Sequence, residues 1–283
     1  MLSLNIKPAE SSLALKERVE RYFKADGKKL VAERNNVSPN GSSKADISGP
    51  EISAFLNFIT DVVPEGHVYL FGGVLRDLAL YGQRGFDSDI DLVVDGDWVE
   101  VVKYIKKKNA VKNKFGGYRL YIGYMPVDIW NAKDTWAIKN GLIQYRGVAS
   151  LVETTVTNWD AILMNWRTKR FVHREDYFNE LRSRKLDLVL EKNPNPLGVF
   201  IRILRFFVLK DVNVLTPSVF TYIVESMKAY SIEEVQRREM ESFGKTYIDE
   251  PLYKYFYEIE EHYSGGDVNV SLIDCVQNVL LNR

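Results

Sequence analysis

The stretch from Val68 to Val94 constrains this chain more than any other part of it. Val68-Tyr69-Leu70-Phe71 is a short apolar strand that runs directly into Gly72-Gly73, and Val74–Tyr81 then has the composition of a helix. Glycine allows positive φ and lets the backbone approach a ligand. The open amides at the start of the following helix suit a phosphate. A second strand, Asp89–Val94, comes next. Residues two apart in a strand share a face, so Asp89 and Asp91 point together while Ile90 and Leu92 point into a core. Asp87-Ser88-Asp89 offers another acid pair at the same spacing, and the alternation with Ile90 and Leu92 favours Asp89 and Asp91. Carboxylates on one face repel unless a cation lies between them, and magnesium takes carboxylates together with substrate phosphates. Asp128, inside the apolar run Val127-Asp128-Ile129, supplies a third carboxylate on a candidate neighbouring strand. Three acids beside a phosphate turn point to a two-metal site for in-line attack on a nucleotide α-phosphate.

The surrounding pattern is consistent with such a site. Ser12–Lys24 has helical periodicity through Leu13, Leu15, Val19 and Phe23. Arg34–Pro50 is rich in Asn, Ser, Gly and Pro and reads as a linker, after which Ile52, Phe55, Leu56, Ile59 and Val62 predict a helix. Strands and helices alternate from about His67 to Trp130, and ILMNW and KRFV predict a hairpin around Arg167–Lys169. After Pro196 the chain reads as helical, including a last helix in VSLIDCVQNVLL, and Thr216 before Pro217 is a predicted N-cap. The expected domains are an N-terminal helix and linker over 1–50, a catalytic head over 51–192 and a helical region over 193–283, with KNPNP at the second boundary.

Charge and cysteine content bound the alternatives. The 38 Lys plus Arg residues balance 38 Asp plus Glu, which excludes a strongly basic nucleic-acid coat and an acidic disordered tail. One cysteine, Cys275, excludes an internal disulfide and Cys-rich zinc modules. No apolar run approaches roughly 18 residues, and the start of the chain lacks the pattern of a signal peptide. A cytoplasmic protein with no membrane partner is expected.

The segment Gly72-Gly73-Val74-Leu75-Arg76-Asp77 followed by Asp89-Ile90-Asp91 resembles the head domain of the DNA polymerase β-type nucleotidyltransferase superfamily. Among its branches it is most similar to the class II tRNA CCA-adding enzymes and bacterial poly(A) polymerases. TVTNWDAILMNWRTKRFV resembles a further family segment through Thr157, Asn158 and Ala161, and Arg202-Ile203-Leu204-Arg205 reproduces the start of the family's neck helix. The resemblance covers roughly Val68–Asp211. It implies an α/β (α+β) nucleotidyltransferase head with a mixed β-sheet, followed by a mainly α-helical domain. It implies two Mg²⁺ ions, with Mn²⁺ as an alternative, held by Asp89, Asp91 and Asp128. Gly72, Gly73 and Arg76 would hold the triphosphate, Asp77 would orient the nucleotide, and Asn158, Arg202 and Arg205 would bind it. An NTP is the implied substrate and an RNA 3′ end the implied acceptor.

The chain also departs from the family. The loop from Gly73 to Asp89 is longer, and Glu153-Thr154-Thr155 stands where the family has paired arginines. Gly198-Val199 occupies the place of the base-reading Glu-Asp, and little chain follows the neck-like helix. These departures leave open a tRNA, another RNA, a protein hydroxyl or a small molecule as acceptor, and also an inactive nucleotide- or RNA-binding protein. Lys103, Lys106, Lys107, Lys108, Lys112 and Lys114, and separately Arg167–Lys185, are basic stretches that suit a polyanion or a solvated face. Gly116-Gly117 reads as a hairpin turn, Tyr253–Tyr257 as core or interface, and His67, His173 and His262 show no metal-ligand spacing.

Overall fold

Alternating burial along the strands decides the first part of the fold. Strand β1 (His67–Phe71) turns Val68 and Leu70 to one side and Tyr69 and Phe71 to the other. Strands β2 (Ile90–Asp95), β4 (Tyr118–Ile122) and β5 (Met125–Asn131) repeat the pattern, burying Ile90, Leu92, Leu120, Val127 and Ile129. With β3 (Val111–Lys112), β6 (Ile162–Asn165) and β7 (Phe171–His173) they form a seven-stranded sheet of order β3-β4-β5-β2-β1-β6-β7. Only the β2–β5 pairing is parallel, so the sheet is mixed, as expected. β6 and β7 form the predicted hairpin, and Gly116, at φ +94°, sits in the β3–β4 turn.

The structure, a computed structural model, describes residues 6–24, 49–63, 67–86, 88–123, 125–262 and 270–271. The predicted linker through residue 48, Asp87, and the segment 272–283 with Cys275 lie outside the described residues. The chain divides into two compact units, residues 1–155 with 159–182 and residues 156–158 with 183–283.

In the first unit, helices α1 (Ser12–Lys24), α2 (Gly49–Val62), α3 (Gly73–Tyr81) and α4 (Trp98–Lys106) accompany the sheet. α3 packs on β1, β2 and β6, and α1 packs on α2 and α3. Every residue from Val74 to Tyr81 is therefore buried, which explains a helix without a polar stripe. Arg18 of α1 also binds its end, donating to the carbonyls of Leu78 (3.2 Å) and Ala79 (2.7 Å), which accept from Gly82 N and Ala9 N as well. On the other side of the sheet, Tyr69, Val93 and Leu163 form a core cluster with Ala132 and Leu151. The segment holding the last two, with the short helix α5 (Trp136–Lys139), follows β5. Helix α6 (Tyr177–Arg182) closes the unit.

The second unit is mainly helical: α7 (Pro196–Leu209), α8 (Pro217–Ala229), α9 (Ile232–Phe243) and α10 (Glu250–His262). A small sheet of order β10-β9-β8 joins β8 (Lys185–Leu186), β9 (Val214–Leu215) and β10 (Val270–Ser271). Val270–Ser271 is thus a strand where a helix was expected, because its backbone pairs with Leu215 and Val214. Thr216 is the N-cap of α8 without a side-chain cap bond; its hydroxyl donates instead to Asp187 at 2.7 Å. In the aromatic helix α10, Tyr253, Tyr255 and Phe256 are buried and Tyr257 is exposed. No helix among the described residues is long and apolar enough to cross a membrane.

Candidate active site

Register brings the predicted acids to one edge of the sheet face. On parallel strands β2 and β5, Asp91 is the partner of Asp128. On antiparallel β1 and β2, Asp91 is the partner of Phe71, the residue before Gly72-Gly73. Asp89 immediately precedes β2, so the glycine turn and all three carboxylates lie at the same end of the sheet. Phe71 and Trp130, with ring centroids 5.8 Å apart and steeply inclined, pack against the apolar cluster of Tyr69, Val93 and Leu163.

Arg119 completes this edge and was not foreseen. On β4 it is the cross-strand partner of Asp128. Its Nε donates to Asp128 Oδ1 at 2.9 Å and its Nη2 donates to Asp128 Oδ2, a two-pronged fork. The same Nη2 reaches Asp89 Oδ2 at 3.0 Å. Donating to Asp128 raises the guanidinium's pKa above its ordinary value; partial burial opposes this, and the charges of Asp128 and Asp89 add to the rise. The sequence held one signal for it. Ile122 is the partner of Met125, and counting back along both strands sets 119 against 128.

The glycine turn is built on a buried ionic network. Gly72 adopts φ +60° and ψ −116°, a conformation that favours glycine. Its amide donates to the carbonyl of Ile162 at 3.0 Å. A Cβ on Gly73 would sit 2.9 Å from Ser88 Oγ, so a side chain there would have to displace Ser88. Arg76 lies below the turn, and its guanidinium faces inward. Nε donates to Asp77 at 2.9 Å, Nη1 to Asp160, and Nη2 to Ser88 Oγ at 2.9 Å, while Ser88 donates to Asp77 Oδ2 at 2.7 Å. Arg76, Asp77 and Asp160 are all buried. Burial works against the charge on Arg76, but Asp160 and Asp77 outweigh it and the net pKa shift is upward. Tyr177, whose hydroxyl donates to the carbonyl of Trp159 at 3.1 Å, closes the pocket; burial pushes its phenol well above the usual range. Asp160 is the second residue that sequence reasoning missed. Nothing local marks it, and only the pairing of β6 with β1 brings it beside Gly72.

The remaining expected site residues lie in the second unit. Asn158 N and Nδ2 donate to the carbonyls of Asp187 (3.1 Å) and Lys185 (3.1 Å), and Asn158 Oδ1 accepts from Asp187 N at 2.9 Å. Arg202 is exposed on α7. Arg205 donates to the fully buried Glu239 at 2.6 Å and stacks on Phe243, its guanidinium carbon 4.0 Å from the ring centroid. Gly198 is held by the cap of α7: Asn195 Oδ1 accepts its amide, and a Cβ there would overlap the Asn195 side chain at 2.1 Å.

Solved structures of similar fold exist. The Thermotoga maritima CCA-adding enzyme complexed with tRNA aligns at a TM-score of 0.50 and 19% identity, over 86% of this chain and 63% of that one. The fold is shared with a CCA-adding enzyme. A complex of CCA-adding enzyme with ATP aligns at 18% identity over 91% of this chain and 65% of that one, with a TM-score of 0.47. A tRNA nucleotidyltransferase with a primer tRNA and an incoming ATP analogue aligns at 16% identity over 73% and 67%, with a TM-score of 0.46. The chain therefore spans less than two thirds of the length of the CCA-adding enzymes named here. No family model matches the sequence, and no curated protein matches it.

The CCA-adding enzyme fold raises the question of metal. As the chain stands, no three acidic, histidine or cysteine side chains among the described residues are gathered closely enough to enclose an ion. The donor chemistry nevertheless fits one. Asp89 and Asp128 already converge on a single cation, Arg119, and Asp91 is the register partner of Asp128. Hard carboxylate oxygens on adjacent strands, open to solvent on one side, are the ligands magnesium takes alongside phosphate.

Proposed function

We propose that this chain is a nucleotidyltransferase that moves an NMP from an NTP to an acceptor hydroxyl and releases pyrophosphate, the acceptor being an RNA 3′ end such as that of tRNA. One observation supports this reading above others. Asp91 and Asp128 are register partners, Asp89 and Asp128 share one cation, and the Gly72-Gly73 turn opens at the same end of the sheet.

Asp89, Asp91 and Asp128 would hold Mg²⁺ or Mn²⁺, which would polarise the phosphoryl oxygens and offset their developing charge. The chain's own groups do the rest. The Gly72 conformation opens the backbone at the start of α3, where amides and helix dipole favour a phosphate. Arg76, held by Asp77, Asp160 and Ser88, fixes that turn from beneath and keeps its shape. An Asp128 oxygen released from Arg119 could accept the proton of the attacking hydroxyl. Asn158, Arg202 and Arg205 remain proposed nucleotide contacts.

The test is transfer of label from each α-labelled NTP to total RNA and, separately, to protein. Label on a tRNA-sized band, lost in Asp91→Ala with the fold retained by circular dichroism, supports the reading. Full transfer by that variant, or label on a polypeptide instead of RNA, defeats it.

A further inference from the structure

Arg119 is the unexpected group in the site. A carboxylate pair on one face needs a cation, and here the chain supplies it. The fork onto Asp128 uses both oxygens, and the reach to Asp89 ties the two acids together. A second positive ion between the same carboxylates would lie within a few ångströms of the guanidinium, and like charges at that distance repel strongly where water is partly excluded. Arg119 and a divalent ion therefore compete for one place.

The guanidinium is also able to leave. Its side chain is 44% exposed, as is that of Asp89. β4 turns Arg119 and Tyr121 to the same open side, and Tyr121 is 62% exposed. Arg76 is the opposite case, buried and held by three partners.

We propose that Arg119 is a resident cation that closes the Asp89–Asp128 cluster, and that a divalent ion enters the site by displacing it. The inference rests on the metal-site reading of these acids. Without metal the guanidinium keeps the carboxylates from repelling one another. With metal it is released. Arg119 thus sets the metal concentration at which the site opens.

The test is calorimetric titration of the metal-free 283-residue chain with Mn²⁺ alone, for wild type, Arg119→Gln and Arg119→Lys, with Asp128→Asn as the control for the site. Thermal melting in EDTA and in Mn²⁺ shows that each variant folds and reports binding without any activity. Arg119→Gln should bind Mn²⁺ about three- to tenfold more tightly than wild type, in line with the modest strength of a half-exposed ion pair. Arg119→Lys, which keeps a cation but not the fork, should fall between them. The melting temperature of Arg119→Gln should drop in EDTA and rise more on adding Mn²⁺ than that of wild type. Equal or weaker Mn²⁺ binding by Arg119→Gln, with binding lost in Asp128→Asn, overturns the displacement and leaves the metal site standing. No Mn²⁺ binding by wild type or by Arg119→Gln overturns the metal-site reading itself.

Discussion

Replacing Arg76 with glutamine should unfold the first unit more readily, and the loss should depend on pH in a specific direction. The wild-type guanidinium is 8% exposed and lies between Asp77, 0% exposed, and Asp160, 10% exposed. Glutamine keeps some hydrogen bonding to Ser88 and Asp77 but removes the positive charge that both buried carboxylates face. Breaking a buried ion pair from one side costs about 3–5 kcal/mol, because the partner charge stays buried. Buried carboxylates without a cation resist ionisation in the folded state, while in the unfolded chain they titrate near pH 4. The deficit is therefore fully present at neutral pH and shrinks as pH falls towards about 4. Urea unfolding at pH 7.5 and at pH 4.5 measures both quantities. Tryptophan fluorescence is the right probe, since the chain's 5 tryptophans, Trp98, Trp130, Trp136, Trp159 and Trp166, all belong to the first unit. A loss below about 1 kcal/mol at pH 7.5, or one unchanged at pH 4.5, would show that Arg76 does not hold the turn as argued.

Other perturbations separate the remaining parts. Gly72→Ala forces a side chain into φ +60°, ψ −116°, and should lose about 1–3 kcal/mol in the same urea experiment together with NTP affinity measured by calorimetry. Glu239→Ala removes the acceptor of Arg205 and of the amides of Tyr247 (3.0 Å) and Ile248 (3.1 Å); it should cost about 3 kcal/mol and expose those amides to hydrogen exchange. Lys169 has its Nζ 3.1 Å from the centroid of the Trp166 ring, and burial pulls its amine down to about 8, with Lys16 and Lys24 adding to that and Glu20 opposing it. Between that value and the unfolded one near 10.4 the unfolded chain binds the extra proton, so wild type should gain stability relative to Lys169→Met as pH rises from 7.5 to 9.5. Parallel denaturation curves across that range would contradict the assignment.

Much of the fold could be read locally. The run from Val68 to Val94 carries its own strand, turn, helix and strand because each element's periodicity lies within a few residues. The same holds for α1, which spans Ser12–Lys24 as its spacing of Leu15, Val19 and Phe23 required, and for the β6–β7 hairpin. Short pieces such as β8 and β9 were not legible, since two residues have no period and form a sheet only because distant backbone segments meet.

The candidate site divides along the same line. Asp89, Asp91 and the glycine pair could be named from sequence because strand alternation and glycine's freedom are properties of neighbouring residues. Arg76 was visible as a residue, but its inward role was not, because Asp160 reaches it from the far side of the β1–β6 pairing. Arg119 looked like the solvent-facing member of an alternating strand until register set it against Asp128. The sequence alone determined which residues are acidic, where the chain can turn and which side of each strand is apolar. Tertiary structure decided which charges meet. Ion pairing depends on distances of a few ångströms between segments far apart in the chain, and only strand pairing sets those distances.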